Sequence, residues 1–389
     1  MPNETMRSRH IFIVATEESG DRLGAGLMAE LRTRRGETIR FSGVGGSRMI
    51  AQGLKSQFPI SDLSIIGFSA VVRNLRMILR RIDEVAQAAL AAEPDMLVIV
   101  DSPDFTHRVA RRVKKKRPGL PVVDYVAPTV WAWRPGRAKR MRAYVDHVLA
   151  LLPFEPEAFS RLKGPPCSYV GHPLAQQAAS LRPDAGEARA REATDPARLL
   201  VLPGSRRSEV RHHMATFGAT LARLLAAGAK LDVTLPTTPH LREMVVAATA
   251  GWPLTPHIVT TEEEKRAAFR SARAALAKSG TVTLELALSG VPTVAAYKVG
   301  AMEAVIAKPL IRTSSVILAN LVIGENVVPE FLQTRATPEI LAATLEEVLA
   351  DTPLRRRQIE AFAQLDAIME MSGRPPSARA ADIVLSMMK

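Results

Sequence analysis

The stretch Met96-Leu97-Val98-Ile99-Val100-Asp101-Ser102-Pro103-Asp104-Phe105 sets five apolar residues against an abrupt polar turn. A strand with one wet face alternates polar and apolar residues. A strand with no alternation has to be covered on both faces, as in a parallel sheet sandwiched by helices. Working outward, similar short runs recur at Ile11–Ala15, Val122–Val126 and Val148–Leu152, then at Leu199–Leu202, Leu231–Leu235, Ala274–Ala277 and Val291–Ala296. Longer amphipathic segments separate them. The alternation predicts an α/β chain of two doubly wound parallel-sheet domains. The stretch 176–198 carries Pro183 and Pro196 and no long apolar run, so the boundary is expected there, giving domains at 1–180 and 190–350. Residues 351–389 read as helices, Pro353 to Met371 and Pro376 to Met388, broken at Ser372-Gly373-Arg374-Pro375-Pro376.

With 389 residues and 47% apolar content, the chain has material for two real cores, which excludes a disordered or fibrous architecture. Its longest apolar stretches, such as Ser315 to Gly324, fall short of the roughly 20 residues that span a bilayer. Arg7 and Arg9 precede only Ile11-Phe12-Ile13-Val14, too short a run for a signal peptide, and a cytoplasmic location is expected. Cys167 is the single cysteine, which excludes an internal disulfide and a multi-cysteine metal site.

The net charge is +13, and it is unevenly spread: 27 Lys and Arg face 17 Asp and Glu up to residue 175, against 25 and 22 beyond it. A basic first half suits nucleic acid, a phosphate-bearing small substrate or an anionic membrane. An aromatic content of 5% and the lack of zinc-finger or RNA-recognition signatures argue against nucleic acid.

In open α/β sheets, ligands bind beyond the carboxyl ends of the strands, where helix N-termini present free N–H groups. After the first strand, Thr16-Glu17-Glu18-Ser19-Gly20-Asp21 opens a helix, and its glycines lack dinucleotide-fingerprint spacing. A plain strand-to-helix turn is the structural alternative. Asp101, at the end of a buried strand, is placed as a general base, while Asp104 sits where a helix cap would. Pro203-Gly204-Ser205-Arg206-Arg207 and Lys278-Ser279-Gly280-Thr281 both read as strand, tight turn and helix start, able to hold a diphosphate through main-chain N–H groups, Ser205 and a guanidinium. Glu285, one turn further in, is placed for ribose hydroxyls. No metal-ligating cluster accompanies these loops, so no metal and no cofactor are expected.

These residues, together with Tyr125-Val-Ala-Pro-Thr-Val-Trp131-Ala-Trp133-Arg134, Leu151-Leu-Pro-Phe154-Glu155, Gly171-His172-Pro173, Leu202-Pro-Gly-Ser-Arg206 and Asn320-Leu-Val-Ile-Gly324 with Val327-Val-Pro-Glu330-Phe-Leu-Gln333, resemble the lipid-A-disaccharide synthase family, in order across about residues 10–335. The resemblance implies a GT-B glycosyltransferase: two Rossmann-like domains facing a cleft, acceptor on the first, sugar nucleotide on the second, and residues 351–389 crossing back to the first. It implies an inverting, metal-independent transfer from UDP-2,3-diacylglucosamine to 2,3-diacylglucosamine 1-phosphate (lipid X). Asp101 then matches the base, Glu17 a carboxylate that is either catalytic or acceptor-orienting, and Ser205, Arg206, Ser279, Gly280 and Thr281 the groups that receive UDP. Asn320, Glu330 and Gln333 match positions lining the nucleotide side. The chain departs from the family in having Thr16, where glycine is usual, before Glu17. A homodimer is also implied.

Both implied substrates carry acyl chains. Leu63 to Val72, followed by Arg73, Arg76 and Arg80 on one helical face, suits the cytoplasmic face of an anionic inner membrane, the alternative being an amphipathic helix with a solvated basic face. Trp133 and Arg134 belong either to packing or to the acceptor site, where Arg137, Lys139, Arg140 and Arg142 extend the basic surface towards an acceptor phosphate. A UDP-N-acetylglucosamine epimerase, or another sugar-nucleotide enzyme of the same fold, is the competing reading; it needs the nucleotide loops but no lipid-facing surface.

Overall fold

The computed structural model describes residues 8–63, 75–300, 315–371 and 373–388. Its contacts divide the chain into two compact units, one comprising Met1–Pro173 with Ser372–Lys389, the other Leu174–Met371.

The first unit is built on seven parallel strands: β1 (Arg9–Ala15), β2 (Ile39–Val44), β3 (Lys55–Ser56), β4 (Met96–Val100), β5 (Val122–Tyr125), β6 (His147–Ala150) and β7 (Cys167–Tyr169), in the order β3-β2-β1-β4-β5-β6-β7. All five residues of β4 are fully buried, as its unbroken apolar run requires. Side chains alternate between two cores. Phe12, Val14, Leu97 and Ile99 pack under one helical layer, and Ile11, Ile13, Met96 and Val98 under the other. Each such side chain contributes roughly 1.5–3 kcal/mol by leaving water. The sheet reverses its winding direction between β1 and β4, which pair in register from Ile11↔Met96 to Ala15↔Val100. The loops after these two strands therefore open side by side at the switch point.

The second unit repeats the plan with β8 (Ala197–Leu202), β9 (Leu231–Pro236), β10 (His257–Val259), β11 (Ala274–Lys278), β12 (Thr293–Tyr297) and β13 (Glu330–Leu332), ordered β10-β9-β8-β11-β12-β13 and all parallel. Here the reversal lies between β8 and β11.

Two boundaries differ from the sequence reading. The stretch expected to be a linker folds into helices Ala178–Leu181 and Ala185–Ala193 of the second unit. Its anchor is buried Arg191, whose guanidinium donates to the carbonyls of Phe269, Arg270, Ser289 and Gly290. Residues 351–389 do not act as one segment either. Helix Pro353–Ala363 stays with the second unit, because buried Gln358 pairs with both main-chain groups of Thr293 on β12 at 2.7 and 3.1 Å. Only the chain from Ser372 returns to the first unit. There helix Pro376–Met387 lies on helix Glu18–Arg35, Ala380, Ala381 and Val384 enter the core, and Arg34 pairs with Asp382 at 2.5 Å.

Candidate functional site

At the switch point of the first unit, Glu17 follows β1 with extended backbone (φ −133°, ψ 160°) and caps helix Glu18–Arg35 without a side-chain bond. Thr16 is buried and has no positive φ, so the backbone there does not require the glycine usual in the family. Gly20 lets the helix approach the strands: a Cβ there would lie 3.2 Å from the Val100 carbonyl oxygen. Asp101 and Ser102 both take left-handed conformations (φ 56° and 45°) before Pro103 opens helix Pro103–Lys116. That double turn folds the carboxylate back over the strand ends. Asp101 Oδ1 accepts the Ser102 N–H at 2.7 Å, and Oδ2 accepts the Ser19 hydroxyl at 3.1 Å. The Ser102 hydroxyl donates to Glu17 Oε1 at 2.9 Å. Two carboxylates from neighbouring strands are thus held in one hydrogen-bonded constellation, each with lone pairs left to accept from a ligand. Their pocket, ≈ 380 Å³, is lined as well by Leu63, Leu75 and Ile78, so acidic and apolar side chains share it.

Asp21 serves the scaffold. Buried, it accepts the N–H groups of Gly46 (2.7 Å), Met49 (3.0 Å) and Arg48 (3.0 Å), capping helix Ser47–Ala51 from a neighbouring element.

In the second unit, the loops after β8 and β11 line a pocket of ≈ 460 Å³ with Ser205, Arg206, Lys278, Gly280, Thr281 and Glu285, closed by Thr237 and Thr238 after β9 and by Lys265. Helix Thr281–Leu288 begins at Gly280 with no side-chain cap, so its N–H groups are available to an anion. The β8 loop behaves differently. Gly204 (φ 122°) brings Glu209 so close that a Cβ would meet it at 2.5 Å, and Glu209 accepts the N–H groups of Ser205 and Arg206 at 2.9 and 3.3 Å. The two main-chain donors assigned from sequence to a diphosphate are therefore already occupied. Glu209 in turn pairs with Lys278 at 3.0 Å. Burial pushes the Glu209 carboxyl up, but Lys278 and these donors outweigh it and hold it below the usual range. Glu285 pairs with Lys265 at 2.7 Å.

Comparison with known proteins decides the family. The profile described as lipid-A-disaccharide synthetase matches residues 11–381. The lipid-A-disaccharide synthase of Nitrobacter hamburgensis is 68% identical over 98% of this chain and 96% of its own, and that of Ruegeria pomeroyi 44% identical over 97% and 95%. This chain belongs to the lipid-A-disaccharide synthase family. Among solved structures, it is similar to MurG of Acinetobacter baumannii (TM-score 0.58, 15% identity, 97% of this chain and 99% of that one) and to the UDP-GlcNAc 2-epimerase of Neisseria meningitidis (TM-score 0.57, 12% identity, 98% and 99%). These likenesses give the GT-B fold and do not choose between a transferase and an epimerase. Family membership does, and it makes the chain a glycosyltransferase of lipid A biosynthesis.

Several residues read from the synthase motifs have a different place in the structure. Asn320 is buried and spends its amide on Ser315, Val327 and Val328, pinning the turn before β13. Glu330 accepts from Ser315 and Val316, with the Ser279 hydroxyl at 3.5 Å; burial raises its pKa against the pull of those donors. Among the described residues, Ser279, Asn320, Glu330 and Gln333 are not in the lining of the ≈ 460 Å³ pocket. Lys278, which opens the second turn read from sequence, lines it, as do Lys265, Thr237 and Thr238, which escaped the sequence reading because isolated lysines and threonines carry no spacing signal.

The synthase motif Trp-Ala-Trp-Arg divides its labour. Trp131 donates to buried Glu155 at 3.2 Å and packs edge-on against Phe154 at 5.1 Å, tying that loop to the Leu-Leu-Pro-Phe-Glu turn. Trp133 donates to the Thr129 hydroxyl at 3.1 Å, and the Arg134 guanidinium lies over its ring at 4.2 Å. In the basic segment, Arg73 and most of Leu63 to Val72 fall outside the described residues. Arg76 is exposed at the start of helix Leu75–Ala91, Arg80 pairs with Glu84 at 2.8 Å, and Ile82 turns into the core. Among the described residues no helix is long and apolar enough to cross a membrane, and no cluster of His, Cys, Asp or Glu could hold a metal ion.

Proposed function

We propose that this chain joins UDP-2,3-diacylglucosamine to 2,3-diacylglucosamine 1-phosphate, giving the disaccharide 1-phosphate and UDP, with inversion at the anomeric carbon and without a metal or cofactor. The single observation that carries the reading beyond the family is the pair of carboxylates, Asp101 and Glu17, bridged by Ser102 and sharing a pocket with apolar side chains. In an inverting displacement the acceptor's 6-hydroxyl oxygen attacks the anomeric carbon, the bond from that carbon to the diphosphate oxygen breaks, and UDP leaves with the electron pair. Asp101 takes the hydroxyl proton. Ser19 and the Ser102 amide orient the carboxylate, and Glu17 accepts from an acceptor hydroxyl. The departing diphosphate gathers charge that Arg206, Lys278 and the uncapped N-terminus at Gly280-Thr281 stabilise, with Ser205 as a further donor and Glu285 at the ribose.

Leu63, Leu75 and Ile78 suit acyl chains at the pocket wall, and Arg76 and Arg80 beside exposed Leu75 suit an anionic bilayer surface; both support a peripheral protein at the cytoplasmic face of the inner membrane. The test incubates the protein with both substrates in chelator-treated buffer and follows UDP and disaccharide by mass spectrometry. Formation of both supports the proposal. A changed sugar nucleotide in the absence of acceptor would assign the chain to the epimerases.

A further inference from the structure

Beside the carboxylate pocket lies a second one, ≈ 260 Å³, into which five guanidinium groups converge: Arg108 and Arg111 from helix Pro103–Lys116, Arg134 from the Trp-Ala-Trp-Arg loop, and Arg137 and Arg140 from helix Gly136–Met141. Asp104 is the single carboxylate in the lining, and it pairs with Arg137 at 2.9 Å. Among the described residues the other four arginines have no carboxylate partner.

Three of these four are held by other contacts instead. The Arg111 guanidinium lies 4.6 Å from the Tyr144 ring centre, Arg134 lies 4.2 Å from that of Trp133, and Arg140 Nε donates to the Gly136 carbonyl at 3.2 Å. Below them His107 bonds to Tyr144 at 3.2 Å and to buried Asp124 at 3.0 Å, giving the pocket a rigid floor. Four unneutralised cations around so small a space repel one another, and this arrangement is stable when a compact anion occupies it. Planar guanidinium forks match phosphate oxygens two at a time.

The position of the pocket identifies the anion. Pro103, Asp104 and Arg108 line both this pocket and the one holding Asp101 and Glu17, so the two adjoin across one short ridge. In a hexose 1-phosphate the phosphate on C1 and the hydroxymethyl on C5 flank the ring oxygen, so the two groups lie within one ring's width of each other. We propose that the arginine pocket binds a phosphate group, and that its ligand is the anomeric phosphate monoester of the acceptor, which sets the 6-hydroxyl against Asp101. The assignment to the acceptor rests on the transferase reading above. The arginines of this pocket are positioning residues that recognise the substrate.

The experiment compares the wild type with Arg140→Ser and Arg134→Ser, two exposed positions whose replacement leaves the core intact. Each is assayed with 2,3-diacylglucosamine 1-phosphate and with its dephosphorylated counterpart. The preference for the phosphorylated acceptor, as a ratio of kcat/KM values, is expected to fall at least tenfold through a raised acceptor KM, with the donor KM unchanged. An unchanged ratio overturns the acceptor assignment. An unchanged ratio combined with lost binding to phosphatidylglycerol vesicles also overturns it and gives the pocket to a bilayer phosphodiester. If the wild type forms no disaccharide, the transferase reading fails separately. The phosphate subsite is then judged by ³¹P line broadening of glucosamine 1-phosphate: broadening by the wild type that both variants lose supports it, and none with the wild type overturns it.

Discussion

The Ser102 hydroxyl donates to Glu17 at 2.9 Å across the ends of β1 and β4, two strands joined in the sheet but 85 residues apart in the chain. A parallel sheet that reverses its winding at this pair leaves no helix over the gap, so groups on the two loops meet there. The bond holds Glu17 beside the turn that carries Asp101.

Replacing Asp101 with Asn removes the proton acceptor and keeps a residue that tolerates the φ of 56°. Disaccharide formation is expected to fall by about 10²–10⁴-fold, with UDP affinity retained in a calorimetric titration. Near-normal turnover would refute the role of base.

Arg206→Ser withdraws a cation from the nucleotide pocket without disturbing the hydrogen bonds of Glu209 to the main chain. A charge-assisted bond of roughly 1.5–3 kcal/mol predicts a rise of about ten- to a hundredfold in the dissociation constant of UDP. Equal binding by variant and wild type would place the diphosphate elsewhere.

Asp21→Ala tests scaffold rather than chemistry. Three N–H groups at the start of helix Ser47–Ala51 lose their acceptor, two of them in bonds that are fully buried. The expected destabilisation of the first unit is about 2–4 kcal/mol, measured by urea unfolding. Loss of activity at unchanged stability would point to a direct role for this aspartate.

Burial pushes the Glu155 carboxyl up to about 7, against the pull of Leu152, Trp131 and Leu151. The native state therefore keeps a proton that the unfolded chain gives up near pH 4.5. Below that pH both states are protonated; between 4.5 and 7 the unfolded state binds fewer protons, so stability falls as pH rises, by roughly 3 kcal/mol at most, and levels off above 7. Relative to Glu155→Gln, the wild type should lose stability across this window in denaturant titrations at a series of pH values. Parallel profiles would show that Glu155 does not titrate there.

For membrane association, Arg76 and Arg80 changed together to Ser should weaken sedimentation with phosphatidylglycerol vesicles about fivefold to tenfold. The two cations contribute about 1 kcal/mol each at an anionic surface, and Arg80 is already partly neutralised by Glu84. Unaltered sedimentation would remove this helix from the interface.

The fold was legible wherever burial on both faces wrote an unbroken apolar run, as in β1, β4, β8 and β11. The missed strands have weaker signatures: β2 alternates (Ile39, Phe41 and Val44 inward, Arg40 outward), while β3, β7, β10 and β13 have only two or three residues each. The placement of Asp101 and Glu17 at neighbouring strand ends was readable because each follows such a run. The employment of Asn320 and Glu330 was not, since a motif records that a polar residue is needed and not whether ligand or loop needs it. Nor could Glu209 be seen occupying the N–H groups of Ser205 and Arg206, because its reach depends on the φ of 122° at Gly204. The arginine pocket was half visible: Arg134, Arg137 and Arg140 form one basic run, whereas Arg108 and Arg111 join them only through the packing of their helix.

The return of the chain at Ser372 makes the second unit an insertion within the first. Leu174–Met371 is continuous in the chain. The first unit begins synthesis earlier but lacks Ala380, Ala381 and Val384, which complete one of its two cores. At about 5–20 residues per second it waits roughly 10–40 s for them. For that interval the nascent protein exposes the apolar side of helix Glu18–Arg35 that helix Pro376–Met387 will cover, so the unit proposed to carry the acceptor site is the one that most needs shelter during synthesis.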